Sequence, residues 1–389
     1  MHRGPTGSYR LISSIGGERV RAFLPKPLPP APPLQFDVAL EERIHEALVA
    51  LGRLDTITLL LPDSGHFLYS YVRKEAVLSS QIEGTQSTLS DLLLFEAEEL
   101  PGVPIDDVTE VSGYVAALEH GLARLKGGFP LSNRLIRDMH GILLARGRGS
   151  EKDPGSFRRT QNWLGGSRPG NAQYVPPPAS DVPECMSALE KWLHDRPERT
   201  PPLLKAALAH VQFESIHPFL DGNGRVGRLL VTLILHVEGV LQQPLLYLSL
   251  YLKQHRDEYY ELLDRVRREG DWEAWIGFFA DGVRETAMQS VDTVRRLNAV
   301  FEEDAELIRR LGRASASALR VHAVLEKRLV SSANGLASLT GLSLPTVYTV
   351  LEGLATLGIV RELTGRERRR VFSYQRYLAV LSEGTEVTR

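Results

Sequence analysis

The stretch His217-Pro218-Phe219-Leu220-Asp221-Gly222-Asn223-Gly224-Arg225-Val226-Gly227-Arg228 decides how the rest of the chain is read. It follows an apolar helical run, Leu203 to Val211, and precedes another, Leu229 to Leu235. Pro218 and the glycines make it a turn between helices. Gly222 and Gly224 let successive backbone N–H groups converge at the mouth of the second helix, where the dipole end favours an anion. That describes a phosphate cradle. Asn223 can donate to a phosphate oxygen, Arg225 and Arg228 bring two forked cations, and Asp221 can hold a magnesium ion. His217 is the one group in the turn with an ordinary pKa near ~6.5, able to take a proton at neutral pH.

Other readings fit parts of the same letters. Gly222-x-Gly224-x-x-Gly227 has the spacing of a dinucleotide fingerprint, but a strand should precede it and here a helical pattern does. His217 and Asp221 are four apart, as helical zinc ligands are, yet Pro218 and Gly222 spoil the helix that would align them. A structural turn with a buried histidine would not need Asp, Asn and two Arg together. No Walker sequence, Gly-x-x-x-x-Gly-Lys-Ser/Thr, occurs, so the chain is not a P-loop NTPase.

Working outward, 389 residues suggest two or three domains at roughly 150 residues each. With 43% hydrophobic and 24% charged residues, the composition excludes wholesale disorder, collagen and a coiled-coil rod. The 46 Lys and Arg against 48 Asp and Glu give a net charge of -2, so no overall basic field holds nucleic acid, and any such contact needs a local patch. The single cysteine, Cys185, excludes an internal disulfide and every cysteine-cluster metal site. No stretch of 18 apolar residues and no signal-like apolar core occurs, so the expected location is the cytoplasm, with no membrane contact.

The proline-rich run at residues 24 to 34, with six prolines, is expected to be an extended wrapping arm that forms neither ladder nor helix. Beyond it helix-spaced apolar positions dominate, among them Ile44, Leu48 and Leu51, then Val111, Val115 and Leu118. The long Gly- and Pro-rich stretch 147 to 181 reads as an ordered functional loop. Ala287, Val291, Val294, Asn298, Phe301, Ala305 and Ile308 form a heptad seam on a long helix, either packed on the body or open to a homodimer. From residue 313 on, short helices about a turn at Gly341, followed by a hairpin, outline a winged helix.

The signature HPFLDGNGRVGR is similar to that of the Fic (filamentation induced by cAMP) family, His-x-Phe-x-Asp/Glu-Gly-Asn-Gly-Arg-x-x-Arg, at every fixed position. Gly155-Ser156-Phe157-Arg158-Arg159, Gln161-Asn162-Trp163 and Ala172-Gln173-Tyr174-Val175-Pro176-Pro177-Pro178 resemble the family's flap region, and the resemblance covers roughly residues 40 to 310. It implies a mainly α fold, a Fic-type helical bundle with a short β-hairpin flap, here followed by a C-terminal winged-helix domain. The expected organisation is a proline-rich arm (1–35), an N-terminal helical region with an inhibitory helix (36–100), a catalytic core (101–282), a connecting helix (283–312) and the winged-helix-like part (313–389).

The resemblance also implies an activity: transfer of AMP from ATP to a Ser, Thr or Tyr hydroxyl of a target protein. His217 would deprotonate the hydroxyl and Asp221 would hold Mg2+. Gly222, Asn223 and Gly224 would bind the phosphates, while Arg225 and Arg228 would neutralise them. The flap would pin an extended piece of target by main-chain pairing. Ser79, Ser80, Gln81, Ile82, Glu83 and Gly84 end a helical run and look like the family's inhibitory motif, Ser/Thr-x-x-x-Glu-Gly/Asn, so Glu83 would pair with Arg228 and hold ATP unproductively. The same site could remove AMP or transfer another phosphate-linked group. A rival class is a DNA-binding regulator with a nucleotide-sensing body, its DNA contacts within residues 336–372. His140, His210, Tyr259, Tyr260, Trp272 and Trp275 are expected in the core rather than in the site.

Overall fold

Helix-spaced apolar positions and scarce alternation produce a mainly helical molecule, whose computed structural model describes residues 3–13, 18–59, 64–98, 105–365 and 370–386. The chain opens with an antiparallel hairpin, β1 (Gly7–Ser13) and β2 (Arg19–Pro25). Helices α1 (Val38–Leu59), α2 (Ser64–Ile82), α3 (Leu89–Glu98), α4 (Ile105–Lys126) and α5 (Asn133–Leu143) follow. A long loop leads to α6 (Val182–Leu193), α7 (Pro202–Ile216) and α8 (Asn223–Val237), and then α9 (Ser249–Gln254), α10 (Arg256–Glu269) and α11 (Trp272–Arg309). The C-terminal part runs α12 (Ser315–Lys327), β3 (Val330–Ser332), α13 (Ala333–Thr340), α14 (Leu344–Thr356), β4 (Val360–Glu362), β5 (Val371–Tyr374) and α15 (Gln375–Ser382).

At the centre α7 packs on α8. Every α7 residue from Leu203 to Ile216 is buried, as expected of a helix with no water-facing side. The Trp275 indole donates to the Ala207 carbonyl at 2.9 Å and ties α11 to this centre. On the far side of α8 lie α2, α4 and α5. Thus α2, which carries Ser79, is pressed against the helix that carries Arg228. The core is contiguous from Leu28 to Leu381. His140, His210, Tyr259, Trp272 and Trp275 are buried in it as expected, whereas Tyr260 is exposed.

Three expectations need correction. The N-terminal segment is not simply an extended arm, because residues 7–13 and 19–25 form the β1–β2 ladder, with Leu24 and Pro25 inside β2. Proline is tolerated there because it is the strand's last residue, opposite Gly7. The long helix begins at Trp272, so position 283 lies inside α11. Its heptad seam is filled within the chain: Ala287, Val291 and Val294 are buried, α1 lies along α11, and α15 packs on it too. The expected C-terminal hairpin gains a third strand, giving the order β3-β5-β4. The arginine-rich residues 366–369 lie outside the described residues. Among the described residues no helix is long and apolar enough to cross a membrane.

Candidate active site

His217 ends α7 in the left-handed region, with φ 49° and ψ 60°, and its N–H donates to the Phe213 carbonyl at 2.8 Å. Pro218 prevents the helix from resuming, and Phe219 then turns inward to stack on His140 with ring centroids 3.7 Å apart. Gly222 (φ 74°) is the turn into α8, a conformation that costs a glycine nothing. The first residues of α8 are therefore Asn223, Gly224 and Arg225, with their N–H groups at the positive end of the helix.

The side chains around this turn divide the work unevenly. The Asn223 amide is spent on Phe219: its Oδ1 accepts from the Phe219 N–H and its Nδ2 donates to the Phe219 carbonyl, both at 2.9 Å. Its side chain therefore holds the loop, and only its backbone N–H is left facing an anion at the helix start. Arg225 is 2% exposed and pairs with Glu110 of α4 at 2.5 Å. It reaches Asp221 only at 3.4 Å. Arg228 is the cation that bears on the turn.

Arg228 is held from α2. Its Nε donates to Ser79 Oγ at 2.8 Å, and Nη2 donates to the Ser79 carbonyl at 2.9 Å and to Glu83 Oε1 at 2.7 Å. Ser79 and Glu83 act together because they lie four residues apart at the end of α2, where Gly84 (φ 99°) leaves the helix. Burial opposes charge on both partners, yet the pairing prevails: Glu83 stays ionised below its usual range and the Arg228 pKa is raised. A Cβ placed on Gly224 would stand 2.2 Å from Glu83 Oε1 and 3.1 Å from Arg228 Nη1. The Glu83 carboxylate thus lies directly on the glycine of the helix start, where an anion is favoured.

Burial, reinforced by the charge of Arg158, pushes the His217 imidazole down to about 3, so the ring is neutral at pH 7. Its Nδ1 has no hydrogen-bond partner among the described residues and lies 3.8 Å from Glu214 Oε2. Glu214 is a residue that sequence reasoning missed. It is buried one turn before His217, and burial pushes its carboxyl up to about 7. The available signal was its place three residues before His217 at the end of a largely apolar helical run, where an acid is unusual.

Asp221 keeps a partly exposed carboxylate, 36% accessible, with Oδ1 taking the Gly222 N–H at 2.6 Å. Oδ2 faces Gly149, where an added Cβ would sit 2.7 Å away. No group of three or more His, Cys, Asp or Glu suited to a metal occurs among the described residues. A single open carboxylate beside an anion seat still fits magnesium, which binds through one or two carboxylates together with substrate phosphates.

The loop from 155 to 178 is stapled to this turn. Arg158 donates from Nε to the His217 carbonyl at 2.9 Å and from Nη2 to the Pro177 carbonyl at 2.5 Å. Gln161 reaches the Pro176 carbonyl at 2.9 Å, and Asn162 reaches the Phe219 carbonyl at 3.0 Å. The expected hairpin flap is closed by one bridge, Leu164 with Tyr174, rather than a ladder. His140 accepts from the Gly155 N–H at 2.9 Å, which leaves its Nε2–H to donate to the Asp221 carbonyl at 3.0 Å.

A helix pair joined by this turn, with a second helix delivering a carboxylate to its arginine, corresponds to a known class. Residues 41–123 match the model of the Fic/DOC family N-terminal region, and residues 130–235 match that of the Fic/DOC family. Over these segments the chain is similar to the Fic/DOC family. It is similar to the protein adenylyltransferase Fic of Drosophila grimshawi, 31% identical over 258 residues that make up 64% of this chain and 47% of the relative. The Drosophila melanogaster protein of the same description is 32% identical over 256 residues, covering 64% and 48%. The chain spans about half the length of the curated relatives it matches. In fold it resembles a Fic family protein from Desulfovibrio desulfuricans (TM-score 0.58, 22% identity, covering 88% of this chain and 97% of that one). It also resembles Fic-1 from C. elegans (TM-score 0.51, 23% identity, covering 66% and 73%).

Proposed function

We propose that the chain is a protein adenylyltransferase, transferring AMP from ATP to a hydroxyl of a target protein, and that the conformation described holds this activity back. One observation carries the reading: His217 at the end of α7 and the buried Arg228 of α8 flank one turn, and the arginine's carboxylate partner sits on the glycine at the start of α8. In the proposed reaction the target hydroxyl oxygen forms a bond to the α-phosphorus. The P–O bond to the β-phosphate breaks, pyrophosphate leaves with its electron pair, and the hydroxyl proton passes to His217. The N–H groups of Asn223 and Gly224 receive phosphate oxygens, while the Gly222 N–H stays with Asp221 Oδ1 and Arg225 stays with Glu110. Asp221 would hold Mg2+, which when bound neutralises phosphate charge. Arg228 meets the outer phosphate only when Glu83 has left it.

The test is intact-mass spectrometry of the parent, Glu83→Gly, and Glu83→Gly with His217→Ala, each with ATP and magnesium and a mixture of candidate target proteins. Gain of one AMP mass in the Glu83→Gly reaction alone is expected, on the chain itself or on a target. Equal gain in all three, or in none, overturns the reading. Removal of AMP is a second reading, favoured by the ionised Glu83 beside the cradle, where it could place a water. Loss of AMP mass from a modified substrate, slower in Glu83→Gly, would identify it. The DNA-regulator reading is weaker, because α14 carries no Lys or Arg to meet phosphates.

A further inference from the structure

The β1–β2 hairpin forms a wall of the flap. The Phe23 N–H donates to the Val175 carbonyl at 2.8 Å, and Val20, Ala22 and Val175 form a small core of their own. Glu18 accepts from the Gly170 N–H at 3.1 Å and pairs with Arg168 at 3.0 Å. From the other side, the Thr6 N–H donates to the Arg267 carbonyl of α10 at 3.0 Å. Between hairpin, flap and α10 lies an open groove of about 460 Å³, lined among the described residues by Arg19, Arg21, Arg267 and Arg268 with Asp264, and with Glu18 at its rim against Gly170. In a chain of net charge -2 this is a local concentration of positive charge.

Alternation along β2 sets the groove's chemistry. Val20 and Ala22 point into the small core, so Arg19 and Arg21 are exposed. Arg267 is mostly covered and stands 4.1 Å over the Tyr174 ring. It pairs with Asp264 only at 3.6 Å, and its Nε is buried with no acceptor among the described residues. Tyr174, which lines the groove, also ties it to α7: its hydroxyl donates to the Ser215 carbonyl at 2.5 Å, two residues before His217.

We propose that this groove binds an acidic stretch of the target polypeptide adjoining the modified hydroxyl, a substrate preference that rests on the AMP-transfer reading. Continuity with the flap, whose residues 172–175 line the groove and whose Val175 pairs with Phe23, favours a polypeptide. A nucleic acid would want open aromatic faces for its bases, but Arg21 covers the Tyr9 ring at 4.6 Å and Arg267 covers Tyr174.

The test uses the full Glu83→Gly chain and fluorescein-labelled peptides with one threonine flanked either by glutamates or by glutamines, with a single-stranded RNA of equal charge as a third probe. Anisotropy is expected to show the glutamate peptide binding about tenfold tighter than its twin, an advantage that shrinks with salt. Arg19→Glu with Arg21→Glu should abolish that advantage, and so, independently, should Arg268→Glu, while thermal stabilisation by ATP shows that each variant is folded. Equal binding of the two peptides overturns the proposal, as does RNA binding at least as tightly as the glutamate peptide. The two readings fail separately. AMP transfer without charge preference sinks the groove alone, and charge-selective binding without AMP transfer supports the groove while sinking the transfer reading.

Discussion

Replacing Glu83 by Gln keeps the size of the side chain and removes the charge that holds Arg228. In the folded chain Arg228 is 3% exposed, and Glu83 gives it a charged partner at 2.7 Å. A hydrogen bond to a charged group contributes about 1.5–3 kcal/mol. Two factors reduce that figure here. Glu83 is 32% exposed and so screened by solvent, and Ser79 keeps both of its bonds to Arg228. A loss of about 1–2 kcal/mol remains, which in a chain of 389 residues lowers the melting temperature by about 1–2 °C. The same energy no longer opposes ATP, whose outer phosphate must take Arg228 from Glu83, so magnesium-ATP should bind about 5–30-fold tighter to the variant. Because the Glu83 pKa is depressed from 4.5, the pair contributes fully above that pH and is lost as pH falls through the depressed value. The stability gap should stay constant from pH 8 to 5 and close below. Thermal melts with and without ATP test this. Equal apo melting temperatures together with equal ATP shifts would refute the reasoning.

Glu75, buried and accepting from the Ser249 hydroxyl and from Tyr114, is raised to about 7. Its contribution is present below 4.5 and lost as pH rises through 7, so Glu75→Gln should spare the protein up to about 3 kcal/mol of destabilisation between pH 5 and pH 8. Urea unfolding at the two pH values checks this, and identical pH sensitivity in parent and variant counts against it. Gly224→Ala puts a methyl where Glu83 Oε1 now lies, 2.2 Å from the Cβ position, so it should loosen Glu83 and also block the anion seat. Unlike Glu83→Gln it should abolish thermal stabilisation by ATP; a retained ATP shift would disprove the seat. Asn223→Ala strips two hydrogen bonds from the buried Phe219 backbone and should cost about 2–3 kcal/mol in urea unfolding, whereas a loss under about 0.5 kcal/mol would mean that the amide does not hold the loop.

The turn and its helices were legible because proline, glycine and apolar periodicity act locally, within a few residues of where they stand. Pro218 stops α7 and Gly222 starts α8 whatever else surrounds them. The β1–β2 hairpin was less legible. Its alternation, Arg19-Val20-Arg21-Ala22, is short, and what stabilises it is the flap some 150 residues on, through Val175. Partnership was the least legible property of all. Arg225 and Arg228 are the same residue type one helical turn apart, and nothing in their spacing says which of them is available to a phosphate. The fold decides, because Glu110 of α4 arrives beside Arg225 and consumes it in a fully buried pair. Glu83 arrives beside Arg228 from a partly exposed position, at a helix end where Gly84 takes a positive φ. The cation with the buried acid is structural, and the cation with the partly exposed acid can be exchanged for a ligand. The same logic explains why Asn223, read from its donors alone, looked like a phosphate ligand: an amide can serve a backbone as readily as an anion, and Phe219 is closer.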